Sequence, residues 1–249
     1  TIAFAPENGG LVLAETAGTI TVQIPEAGEC TWTLDLSDPY NWTCEVVSGS
    51  EEPEPVSREV YAIGIDDGIT GGGWNFDNKL YFYNEDNLAY AGVLNVNSLW
   101  GYQVGIEKDN WEDVYTLGDG DAYSGTLEFK GANNLIAPLP GVYLFDLSLK
   151  NLVYALTEVG DHIYVNGLDD KWEFNQTLAA TSDPGVYSGS LTVSGASTYG
   201  FKIFLVKDNW DLLFGGSDGV LWYHGDDIPD SNSWSPGTYT ITVDLINRT

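Results

Sequence analysis

Ser98–Trp111 reads SLWGYQVGIEKDNW, and Ser197–Trp210 reads STYGFKIFLVKDNW. The two stretches superimpose without a gap at an offset of 99 residues (207 − 108). Self-similarity at a fixed spacing marks a repeated structural unit, and a unit of this length suits one β-sandwich. The chain therefore carries the same module twice. What the copies share at their aromatic positions is the best guide to what they do.

Working outward, each module ends on a recognisable phrase. After Gly141 the apolar positions are Tyr143, Phe145, Leu147 and Leu149; after Gly237 they are Tyr239, Ile241, Val243 and Leu245. This is period two, the mark of a half-buried strand, entered in both copies through Pro-Gly. A third copy follows Gly28, as Cys30, Trp32, Leu34 and Leu36. Residues 1–47 thus read as the last part of a preceding module. The acidic, proline-containing segment 48–59, SGSEEPEPVSRE, reads as an interdomain linker. Two complete modules follow, at 60–159 and 160–249. Between them no such insert occurs, so a stiffer joint is expected there.

Within each complete module a strand (Tyr61–Ile65; Ile163–Val165) leads to a Gly/Asp-rich loop and an aromatic pair, Trp74-Asn-Phe76 or Trp172-Glu-Phe174. A hairpin, the repeated strand, an acidic loop and the closing strands come next. Val, Thr, Tyr and Trp dominate the short runs, and long helix-forming stretches are missing. The expected fold is all-β: tandem antiparallel sandwiches of immunoglobulin-like type.

The 249 residues carry 37 acidic and 9 basic side chains, a formal net charge of −28. That argues against nucleic acid, whose recognition needs clustered Lys and Arg, and against adhesion to anionic lipid. An uncharged ligand is indifferent to such a field. Two cysteines, Cys30 and Cys44, and two histidines, His162 and His224, provide no metal-binding spacing, so no metal and no cofactor is expected. Cys30 and Cys44 fit a disulfide or a buried thiol pair equally well. No export signal, lipidation motif or transmembrane run is visible, and any such signal or anchor is expected upstream of Thr1.

Trp74 and Trp172 stand beside glycine- and aspartate-rich loops, while Trp111 and Trp210 stand at a strand end after three polar residues. Neither pair lies within an alternating apolar run, where core tryptophans belong. Loops at one end of a sandwich cluster, so each pair is expected to converge on one surface. A flat indole matches the C–H face of a pyranose ring, and two indoles at an angle would follow a curved glucan. Packing beneath long loops is the competing account, since tryptophan is highly buried on average. Ligand contact is the favoured reading. Trp100, aligned with Tyr199, shares its parity with Tyr102 and Phe201 and reads as core.

Lys108 and Lys207 recur beside the second tryptophan, as donors to sugar hydroxyls or as solvated partners of Asp109 and Asp208. Lys202 and its counterpart Gln103 are polar positions on an otherwise apolar strand, which suits a ligand-facing surface or a plain wet one. Asn110 and Asn209 read as turn formers. The many acidic pairs are accounted for mostly by turn chemistry, and no EF-hand pattern supports calcium. A glycosidase would need two carboxylates at a set distance, one in an apolar pocket. The repeated elements are instead aromatic and basic, and no Ser-His-Asp, Cys-His or phosphate-loop signature occurs. A non-enzymatic role is expected.

With these motifs assembled, the chain resembles the starch-utilisation outer-membrane lipoproteins SusE and SusF of Gram-negative gut bacteria. The resemblance rests on the Trp loop after the first strand, the FKIF strand followed by Trp210, FGGSDG (Phe214–Gly219) and PGTYTITVDL (Pro236–Leu245). It covers both complete modules, and the closing phrase extends it to residues 1–47. It implies carbohydrate-binding-module sandwiches, anchored at the cell surface through an upstream lipid. These would bind polysaccharide, with α-glucan favoured, without cleaving it, and would associate with other outer-membrane glycan-uptake proteins. Trp172, Trp210 and Lys202 would form the site of the last module, and Trp74 and Trp111 that of the middle one. The middle module departs from the pattern, with Gln103 at the Lys202 position and Thr116-Leu117 in place of Gly215-Gly216. A structural or protein-docking role in such an assembly is the alternative.

Overall fold

A computed structural model describes residues 58–70 and 73–249, together with four strands nearer the N-terminus: β1 (Phe4–Glu7), β2 (Gly10–Leu13), β3 (Glu29–Leu34) and β4 (Trp42–Val47). The chain divides into two compact units, Thr1–Glu54 and Pro55–Thr249. In the first, β1 pairs with β2 and β3 with β4, both antiparallel, with Trp32 opposite Cys44 and Cys30 opposite Val46. The side chains of Cys30 and Cys44 lie outside the described residues. So does the expected linker, except Arg58 and Glu59, and Glu59 already opens the next strand.

The second unit begins with β5 (Glu59–Ile63), β6 (Lys79–Asn84), β7 (Ala89–Val96), β8 (Gln103–Gly105), β9 (Val114–Gly120), β10 (Ser124–Phe129), β11 (Gly141–Ser148) and β12 (Val153–Glu158). Every pairing is antiparallel, in the order β10-β12-β11-β7-β6-β5-β8-β9, and β9 pairs back onto β10. The all-β, antiparallel expectation therefore holds, but the ladder closes into an eight-stranded barrel instead of dividing into two sheets. β12 makes the closure, because it pairs with β11 on one side and β10 on the other. Its alternation turns Tyr154 and Leu156 into the core, between exposed Val153 and Ala155. Closure leaves no unpaired edge.

The second module contains β13 (His162–Asn166), β14 (Gln176–Ala180), β15 (Val186–Val193), β16 (Lys202–Phe204), β17 (Leu213–Ser217), β18 (Val220–Tyr223) and β19 (Gly237–Asp244). Its order, β18-β17-β16-β13-β14-β15-β19, repeats that of the first module strand for strand, with a break where β12 would lie. The described helices are short turns: one α-turn at Asp67–Thr70 and 3-10 turns at Leu168–Asp170 and Pro229–Ser233.

The sequence AYAGVLNV of β7 is apolar on both faces because both are covered. Tyr90, Leu94 and Val96 point into the barrel core with Tyr102, Tyr143 and Phe145. Ala91 and Val93, with Leu144, join the core of the second module instead, against residues such as Leu178, Leu191 and Phe214. The two modules thus share one apolar cluster. Arg248 adds a cation–π bridge, its guanidinium carbon 3.8 Å from the Tyr81 ring and 3.6 Å from that of Trp222. Beside it Tyr83 stacks on His224 (5.6 Å, 16°) and donates its hydroxyl to Asp146 at 2.8 Å. Burial pushes the Asp146 carboxyl above the usual carboxylate range, although the Tyr83 bond and His224 pull the other way.

Candidate functional site

The repeated Lys-Asp-Asn-Trp string is a turn that delivers a tryptophan. Asp109 (φ 63°) and Asp208 (φ 59°) are left-handed, a conformation that Asp tolerates better than most residues. The Asn110 and Asn209 amides donate to the carbonyls of Glu107 and Val206, each at 3.3 Å. Their side-chain oxygens accept from the amides of Glu112 (3.0 Å) and Asp211 (2.9 Å). Turn chemistry therefore explains the Asp and Asn of the motif. Trp111 and Trp210 leave the turn, each 50 % exposed. Lys108 and Lys207 are exposed and make no ion pair among the described residues.

The other tryptophan of each module is seated on a glycine. Gly64 (φ 87°) and Gly167 (φ 103°) occupy equivalent places after the first strand. A Cβ built on Gly64 would lie 2.9 Å from Cε2 of Trp74, and one on Gly167 3.1 Å from Cη2 of Trp172. Only glycine meets both demands, the positive φ and the close approach. Trp74 and Trp172 are half-buried in consequence.

In the second module the structure brings the expected pair together. Trp172 and Trp210 have ring centroids 6.1 Å apart and planes inclined at 39°. Trp210 is braced from beneath, edge-on to Phe174 (5.8 Å) and Phe204 (5.0 Å). Those rings touch one another at 5.0 Å, and Tyr164 continues the series beyond Phe174. Such contacts fix the angle of the outer indole in advance of any ligand.

In the first module the pair is not joined. Gly105 stands where Phe204 stands in the second, and the ring of Phe76 fills the vacated space: a Cβ on Gly105 would meet Cε1 of Phe76 at 2.8 Å. Phe76 is buried, whereas its counterpart Phe174 is only half-buried. Trp111 packs on Phe76 (5.0 Å, 78°), and Trp74 donates its indole N–H to Asp67 at 3.2 Å. No ring contact joins Trp74 to Trp111 among the described residues.

Lys202 and Gln103 are latches. The Lys202 ammonium donates to the Gly225 carbonyl at 2.6 Å and pairs with Asp227 at 3.2 Å, with its side chain 18 % exposed. Gln103 donates to the side-chain oxygen of Asn134 at 3.0 Å. Asn134 and Asp227 hold the same place, one residue before the bridges Tyr102↔Leu135 and Phe201↔Ile228. The two polar side chains therefore tie the repeated strand to the segment crossing beside it. Lys202 shares a strand face with Phe204, which places it along the aromatic platform with two of its donors already engaged.

Two features escaped the sequence reading. Trp100 and Tyr199, expected in the core, are 74 % and 65 % exposed. The cause is the next residue: Gly101 (φ 81°) and Gly200 (φ 92°) are left-handed and break the strand alternation there. The second feature is the role of the loop aspartates. Asp67 accepts the Leu99 amide at 2.5 Å through one oxygen and the Trp74 indole through the other. Its counterpart Asp170 accepts from the Thr198 amide (2.6 Å) and hydroxyl (2.7 Å), and these bonds hold its carboxyl below the usual range. Each aspartate fixes the first-strand loop against the loop carrying Trp100 or Tyr199.

Residues 58–158, the whole of the first module, match a family model described as "Domain of unknown function (DUF8037)". No curated protein and no solved structure matches the chain. Among the described residues no group of His, Cys, Asp and Glu could hold a metal ion, and no helix is long and apolar enough to cross a membrane.

Proposed function

We propose that the chain is a non-catalytic carbohydrate-binding protein whose principal described site is the Trp172/Trp210 platform. One observation supports this reading above the rest: two indoles 6.1 Å apart and inclined at 39°, the outer one 50 % exposed and braced by the buried ring of Phe204 and the half-buried ring of Phe174. An exposed apolar surface is kept in a strongly acidic protein most readily for an uncharged partner with a flat apolar face. A pyranose ring is such a partner, and an angled pair follows the bend of an α-glucan. Lys202 and exposed Lys207 supply donors for hydroxyl groups alongside. Trp74, Trp111, Gln103 and Lys108 form a second, weaker place of contact in the first module. Sites on modules that share a core stand at a fixed spacing, and fixed spacing raises avidity on a polymer.

On this reading the two modules are variants of the carbohydrate-binding-module sandwich. The protein works at the outer surface of a Gram-negative cell, beside other glycan-uptake proteins, as the SusE/SusF resemblance suggests. Affinity electrophoresis in gels containing starch tests it: the chain is retarded, and Trp210→Ala restores free mobility while the circular dichroism spectrum is unchanged. Equal retardation of the variant would remove the site. A protein-docking role is the second reading, favoured by the exposure of Leu99, Trp100 and Leu139 on the first module. Co-purification of a partner lost on Trp100→Ala, with no glycan retardation, would establish it instead.

A further inference from the structure

We infer, on the reading of Trp172 and Trp210 as a carbohydrate platform, that the binding face continues past Trp172 onto Tyr199. The last module then takes a longer run of neutral sugar units than its two indoles cover. Tyr199 is 65 % exposed, and Trp100, its counterpart in the first module, 74 %. The residue before each differs in kind, threonine in one copy and leucine in the other. What the copies share at this point of the surface is an aromatic ring. Such a ring adds little to the core and costs solubility, so its presence in both copies points to a contact made outside the molecule.

The backbone beneath the ring is held on both sides. Gly200 lies so close to the Ile228 carbonyl that a Cβ on it would run into that oxygen, and Gly101 stands likewise against Leu135. The Ser197 amide donates to the Ser231 carbonyl at 3.0 Å, and the Ser197 hydroxyl accepts from the Asp169 amide at 3.0 Å. Asp170 takes both the amide and the hydroxyl of Thr198. A ring carried on so fixed a loop loses little freedom when a ligand arrives.

Tyr199 also adjoins the platform. β13 pairs with β16 through Asn166 and Lys202, which sets the loop after β13 beside the entry to β16. There the Cβ position of Gly167 is 2.6 Å from the Gly200 carbonyl oxygen and 3.1 Å from Cη2 of Trp172. The edge of the Trp172 indole thus reaches the backbone next to Tyr199, while the same indole meets Trp210. Tyr199 precedes β16, Trp210 follows it, and Trp172 links the two. Among the described residues Tyr199 makes no ring contact, so it offers a separate place for a sugar ring beyond the indole pair. In the first module one carboxylate, that of Asp67, holds both the Leu99 amide and the Trp74 indole N–H, which brings Trp100 to its loop tryptophan in the same way.

The test is calorimetric titration of the whole chain with linear α-glucans of three and of seven glucose units. Tyr199→Ala weakens binding of the longer glucan about fivefold and leaves that of the shorter within about twofold, with the thermal unfolding curve unchanged. Tyr199→Trp, which installs the aromatic found at Trp100, keeps the affinity for both. Unchanged affinity of Tyr199→Ala for the longer glucan, where Trp210→Ala loses it, would overturn the extension and leave the platform standing. Equal loss at both lengths would also overturn it, since Tyr199 would then act on the platform itself. No binding of either glucan by the folded wild-type chain would remove the platform and the extension together.

Discussion

Gly105 of β8 and Phe204 of β16 occupy the same place in the two modules, and this one difference decides where the neighbouring aromatic ring goes. Over Gly105 the ring of Phe76 sinks, and its two tryptophans stand apart. Over Phe204 the ring of Phe174 stays nearer the surface, and Trp172 and Trp210 meet.

Phe204→Ala removes the brace beneath Trp210. The side chain is fully buried, so the loss of stability is about 3–5 kcal/mol, measured by urea unfolding. Glucan affinity falls together with stability, because Phe174 then sinks and the pair separates.

The reverse change, Gly105→Phe, cannot recreate the platform by itself. Its Cβ would lie 2.8 Å from both Ile63 Cδ1 and Phe76 Cε1, and overpacking of this kind costs about 1–3 kcal/mol. Pairing it with Phe76→Ala relieves the clash, and a double-mutant cycle will show favourable coupling between the two sites.

Trp100→Ala separates the exposed placement of Trp100 from the core placement that its parity suggests. With 74 % of the residue exposed, stability changes by no more than about 0.5 kcal/mol. A loss of about 3–5 kcal/mol would put the ring back in the interior.

The Asp170 staple yields a pH prediction. Hydrogen bonds from Thr198 lower the folded-state pKa of Asp170 below its ordinary 3.8. Its contribution is therefore complete at neutral pH and is lost only as pH falls through the lowered value. The Thr198 amide resonance will titrate with a midpoint below 3.8, and Asp170→Asn will abolish that titration.

The first strand, the repeated strand and the closing strand of each repeat were legible because period-two phrases and Pro-Gly entries are local signals; their order in the sheet was not read. Barrel closure was not, since it depends on β12 finding β10, a pairing that no local pattern announces. Trp100 misled because parity was counted through Gly101, whose positive φ resets it; a glycine at the same place in both copies was the available sign. The aspartate pairs read as turn formers, yet Asp67 and Asp170 act on amides 32 and 28 residues away. The unequal tryptophan pairs were foreshadowed by the alignment of Gly105 with Phe204, a difference that carries weight only once both side chains are known to lie under the platform.

Calorimetric titration of the chain with a linear α-glucan of seven glucose units is the most direct measurement. The account predicts saturable binding that Trp172→Ala and Trp210→Ala each weaken at least about tenfold, some 1.4 kcal/mol, with unfolding curves unchanged. Undiminished binding by both variants, or no heat from any uncharged glycan with the wild-type chain folded, would contradict it.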